Sequence, residues 1–111
     1  MDKKIKVRIG LYTFEVRFVS QEEMERTQEK GTLGVCKFKE RLIQVVDDMD
    51  EASTQVTIAH EVAHAILYTQ GRAYQNKFTL EELCEFVGWK LPEIEDVTQA
   101  IMDMWRHEHN G

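Results

Sequence analysis

The chain has 111 residues, 42% hydrophobic and 31% charged, with a formal net charge of −6; that suffices for one hydrophobic core and one domain over 1–111, and excludes a disordered tail. Fourteen Lys and Arg residues are dispersed among twenty acids, which argues against nucleic acid as a partner and for a protein or peptide. Charges interrupt the opening MDKKIKVRIGLYTFEVRF every second or third residue, so neither a signal peptide nor a membrane span is expected and the location is expected to be cytoplasmic. In that reducing compartment Cys36 and Cys84 are expected as free thiols.

Taken in chain order, Ile5, Val7 and Ile9 alternate on one face and Tyr12, Phe14, Val16 and Phe18 follow after Gly10. A period of two in β-branched and aromatic residues predicts two strands or one bent strand. Residues 21–31, QEEMERTQEKG, read as a short exposed helix or a loop. Two strand-like runs, 34–39 and 41–47, with a tight turn near Glu40 predict a hairpin. After Asp50 the apolar period becomes helical, with Ser53 as the expected N-cap and Gly71 as the stop. Thr79 and Glu82 have the T-x-x-E spacing of a capping box opening a second helix. Beyond Pro92, the residues Ile94, Val97, Ile101, Met104 and Trp105 mark an amphipathic third. Strands first and helices afterwards predict an α+β fold: an N-terminal antiparallel sheet of three or four strands, then a central helix and two more.

The central helix contains TIAHEVAHAIL. Residues four apart stand one above the other on a helix, so His60 and His64 can aim ring nitrogens at one point. Glu61 is about 100° further round, off the ligand position but within reach of a water held by a metal, where a general base belongs. Val56, Ile58, Ala59, Val62, Ala63, Ala65, Ile66 and Leu67 cover most of the remaining circumference, which predicts a central helix with its histidines at the core edge or in a cleft. The plain alternative is two structural histidines on a core helix.

Catalytic zinc takes three protein ligands and keeps a fourth position for water. His107 and His109 lie at the end of these residues, where fraying is expected. The next helix must fold back to bury Leu83, Phe86 and Val87, and it carries Glu81, Glu82 and Glu85. The capping box occupies Glu82, so Glu81 is the preferred third ligand and Glu82 the fallback. Glu85, one turn after Glu81, can accept a hydrogen bond from a ligand histidine and fix its orientation. The plain alternative is that all three glutamates decorate a solvated helix face.

The run GVCKFKERLIQVVDD, the AHEVAHAI helix and EELCEFVG together resemble the ImmA/IrrE family of small metallopeptidases, of the gluzincin group, often encoded by phages and mobile elements. The resemblance covers about residues 34–90 and implies a minimal zincin-like core. Within it His60 and His64 would be zinc ligands, Glu61 the catalytic base and Glu81 the third ligand, with one Zn2+ per chain. Cys84 stands where that family has a small alanine, and Glu85 where it has Asn or Asp. Phe86 comes one residue early, which leaves Glu81 against Glu82 open. The family's frequent helix-turn-helix or long C-terminal extension has no counterpart here, which implies a bare peptidase core that relies on a partner to find its target.

The implied activity is zinc-dependent hydrolysis of a peptide bond in a regulatory protein such as a transcriptional repressor. Substrate is expected extended along an edge strand, with residues 42–47 the candidate edge. Tyr74 and His107 are the candidates for stabilising the oxyanion. The alternatives are a zinc-binding regulatory or interaction module with little hydrolytic activity, and a structural domain. Oligomeric state is not legible in the sequence.

Overall fold

The computed structural model describes residues 4–71 and 78–110. Strands β1 (Lys4–Ile9) and β2 (Tyr12–Val19) form an antiparallel hairpin in which Ile9 pairs with Tyr12. Gly10, at φ +62°, occupies the first of the two turn positions, where a positive φ suits the twist of the flanking strands. The chain then forms α1 (Gln21–Thr27), capped by Ser20, whose hydroxyl accepts the Glu23 N–H at 3.1 Å. Strands β3 (Gly34–Lys37) and β4 (Leu42–Val46) make the second hairpin, and its turn holds Arg41 at φ +50°.

The sheet order is β1-β2-β4-β3. The fold is α+β, but the sheet is mixed: β2 and β4 run parallel, Val16 beside Ile43 and Phe18 beside Val45. Parallel neighbours need a long crossover, and here it contains α1 and β3. One consequence corrects the expected substrate edge. Residues 42–46 are interior, paired on both sides, and β3 is the free edge on that side.

Helices α2 (Glu51–Thr69) and α3 (Leu80–Asn110) both cover one face of the sheet. Asp50, not Ser53, is the N-cap of α2: its Oδ1 accepts the Ser53 N–H at 2.7 Å. That bond favours the carboxylate and holds the Asp50 pKa below its ordinary value. Gly71, at φ +74°, follows the C-terminal end as expected. The Arg106 to Glu51 ion pair at 2.7 Å joins the end of α3 to the start of α2, so the two helices run antiparallel.

Instead of two helices divided at Pro92, α3 is continuous through it. Proline inside a helix loses the hydrogen bond to residue i−4, which here is Gly88, at a cost of about 3 kcal/mol. Packing outweighs that cost. Phe86, Ile94, Val97, Ile101 and Trp105 lie on one stripe across the proline and all pack against the same core. The buried face takes Met102 and leaves Met104 exposed.

The core joins Ile5, Ile9, Phe14, Val16, Ile43 and Val45 from the sheet to Ile58, Val62, Ala65 and Ile66 of α2 and Ile101, Met102 and Trp105 of α3. Each fully buried Val, Ile, Phe or Met among them contributes about 1.5–3 kcal/mol. On the opposite face Val19 and Val46, paired in register, hold Met24 of α1. Among the described residues no helix is long and apolar enough to cross a membrane.

Candidate metal centre

α2 brings His60 and His64 together as the four-residue spacing predicts. Both side chains are exposed, and their Nε2 atoms are 3.2 Å apart. Two nitrogens at 2.0–2.1 Å from one tetrahedral zinc would lie about 3.3–3.4 Å from each other, so the pair fits a shared divalent ion. Partial desolvation by the surrounding protein and the neighbouring His60 both push the His64 pKa down, which keeps that imidazole neutral, with a lone pair to donate, near pH 7.

Glu61, the residue after His60, is buried, only 6% exposed. Burial pushes its pKa up, and His60 partly opposes the shift. No hydrogen-bond donor among the described residues is recorded for its carboxylate. A buried carboxyl with a raised pKa, one residue from a convergent imidazole pair, has the character of a general base.

The sequence reading missed what presses on Glu61. A Cβ added at Gly34 on the edge strand would stand 3.1 Å from Glu61 Oε2 and 2.7 Å from Thr57 Cγ2. Thr57 is one turn before Glu61, with its hydroxyl donating to the Ser53 carbonyl at 2.8 Å. Glycine at the start of a strand signals such a close backbone approach. Gly34→Ala is therefore expected to cost about 1–3 kcal/mol by overpacking and to displace Glu61 or β3. Thermal melts measure the cost; a Tm within experimental error of the parent would show that the contact gives without strain.

Two residues beyond Gly34 on the same face of β3, the Cys36 thiol is pushed up to about 12 by burial and by the Glu61 carboxylate. A thiol with that pKa stays protonated at neutral pH and is a poor nucleophile. Cys36 and Cys84 are both free.

Among the described residues no group of three or more His, Cys, Asp or Glu side chains is arranged to hold a metal. Glu82 completes the expected capping box: its Oε1 accepts the Thr79 N–H, and the Thr79 hydroxyl accepts the Glu82 N–H, both at 3.1 Å. Glu81 and Glu85 are exposed, and Glu85 lines a cavity with Gln70, Phe86, Trp89 and Lys90. Of the apolar residues expected to bury this helix, Phe86 packs on the core while Leu83 and Val87 remain exposed. Because α2 and α3 are antiparallel, the first turn of α3 lies toward the C-terminal end of α2.

Comparison with known protein families, curated proteins and solved structures finds no match.

The remaining candidates divide. Tyr74 lies outside the described residues. His107 is exposed near the end of α3. His109 is committed elsewhere, stacked on Trp105 at 4.0 Å between ring centroids and paired with Asp47 at 3.2 Å. His60 and His64 thus meet at a spacing that fits a metal, with the buried Glu61 carboxyl on the next residue, and among the described residues no third ligand is grouped with them.

Proposed function

We propose that the chain is a cytoplasmic, ImmA/IrrE-like zinc metallopeptidase of the gluzincin type, of phage or mobile-element character, acting on a regulatory protein such as a transcriptional repressor. The observation that carries this reading is the 3.2 Å approach of the His60 and His64 Nε2 atoms directly beside a buried Glu61. His60 and His64 would hold the metal, and Glu81, with Glu82 as fallback, would complete the set from the first turn of α3. A zinc held by His60 and His64 would supply a water of lowered pKa and Lewis acidity toward the scissile carbonyl. Glu61 takes the proton from the attacking water and passes it to the leaving amine. Its burial suits that exchange, since a raised pKa brings the carboxylate closer to the basicity a neutral-pH proton shuttle needs.

Substrate would lie extended against β3, the free edge on the α2 side. The Gly34 backbone lies against Glu61, so a peptide paired to that edge passes close to the base.

The second reading, a zinc-binding regulatory or interaction module with little hydrolysis, is favoured because among the described residues no third ligand is grouped with the histidine pair.

Metal content of protein purified without added metal tests both. About one zinc per chain is expected, lost in His60→Ala and in only one of Glu81→Ala and Glu82→Ala. Zinc retained in both glutamate variants would point to the module with an incomplete ligand set, and no zinc uptake by the parent protein would leave α2 as an ordinary core helix.

A further inference from the structure

Strand alternation gathers basic residues that look dispersed in the linear sequence. On the sheet face turned away from α2 and α3, the pairing places Lys4 beside Arg17, and Arg17 beside Gln44. The next row is Lys6, Glu15, Leu42 and Lys37, and the last is Arg8 and Thr13. Five cations share this face with Glu15, which pairs with Arg17, while the chain carries −6 overall. Lys4, Lys6 and Arg8 are all exposed, and no ion pair to them is recorded among the described residues. They lie on β1, the other free edge of the sheet.

We propose that this face, along the free edge of β1, docks an extended acidic segment of a partner protein with carboxylates at alternate positions. Alternate residues of a strand repeat every ~6.8 Å, so carboxylates at every second position of an extended segment match Lys4, Lys6 and Arg8 in step. Opposite charge at that spacing selects the partner and steers its approach. The same cations oppose pairing of β1 with β1 of a second copy, as lysines on edge strands generally do. Single-stranded nucleic acid fits less well, because Tyr12, Phe14 and Phe18 alternate to the opposite face and leave bases no aromatic surface to stack on. A flat anionic membrane is obstructed by α1, which packs on this same side and exposes Glu22 and Glu23. The face lies across the sheet from His60 and His64, so the proposal stands apart from the peptidase reading.

The test is fluorescence anisotropy at low salt with three probes: a labelled peptide of alternating Glu and Thr, a peptide of the same composition with its glutamates in one block, and single-stranded oligothymidylate. The alternating peptide is expected to bind most tightly and to weaken as salt rises. Lys4→Glu/Lys6→Glu is expected to weaken it about tenfold or more, with an unchanged melting curve because both side chains are exposed. The matched change on and just after α1, Arg26→Glu/Lys30→Glu, is expected to alter affinity by less than about twofold. Equal loss in the two double variants would reduce the effect to net charge and overturn the proposal. So would equal binding of the blocked peptide, tighter binding of oligothymidylate, or no binding at low salt.

Discussion

In Glu61→Gln protein, peptide hydrolysis is expected to fall by about 10²- to 10⁴-fold, the usual contribution of a positioned general base, with zinc content unchanged because the proposed ligand nitrogens are those of His60 and His64. The same substitution is expected to stabilise the metal-free fold. Burial raises the Glu61 pKa above its ordinary 4.5, so the folded chain holds this proton more tightly than the unfolded chain does. Stability from this group is therefore greatest below pH 4.5 and is lost as pH rises through the folded-state pKa. Glutamine carries no charge to desolvate. Its amide still lacks a recorded donor or acceptor in that position, so the net gain at pH 7 is on the order of 1 kcal/mol, or a Tm increase of about 3–6 °C. Melts in chelator across pH 4–8 read the difference, which should vanish at the acid end. Activity retained in Glu61→Gln would remove Glu61 from the base role. A Tm gain that does not depend on pH would mean that desolvation of the carboxylate is not its source.

Phe14→Ala is expected to have the largest effect on stability, about 3–5 kcal/mol of a total near 5–15 kcal/mol. Phe14 is fully buried at the centre of the sheet, paired with Val7, and meets Tyr68 of α2 edge-on at 6.5 Å. Tyr68 also stacks on Phe38 at 5.3 Å and approaches Tyr12 at 5.5 Å, so this aromatic cluster anchors α2 one turn beyond His64. Urea titration should show a lower midpoint with an unchanged slope, and Tm should fall by ~10–30 °C. A loss below about 1 kcal/mol would mean that α2 is not held to the sheet through this contact.

What the sequence determined by itself was local. The convergence of His60 and His64 follows from the helical repeat alone, because residues four apart share a face wherever the helix sits. The Thr79–Glu82 capping box and the stop at Gly71 are likewise settled within a few residues, by backbone groups that need partners and by a positive φ. Even there a near neighbour displaced one reading: Asp50 caps α2 in place of Ser53, both being good caps three residues apart.

Only the tertiary structure decided the rest. Strand order depends on pairing between residues distant in the chain, and the parallel match of β2 with β4 moved the free edge to β3 and brought Gly34 against Glu61. Pro92 is a strong local stop, yet an apolar stripe on both sides of it found a common core and carried α3 through. The positions of Glu81 and Glu82 depend on how α3 docks on α2, which no short-range spacing encodes. Lysines and arginines dispersed along the chain became one basic face because alternation and register are summed over four strands. Helix repeats and caps act over about four residues, whereas strand order, close approach and shared faces come from contacts that exist only once the chain has closed on itself.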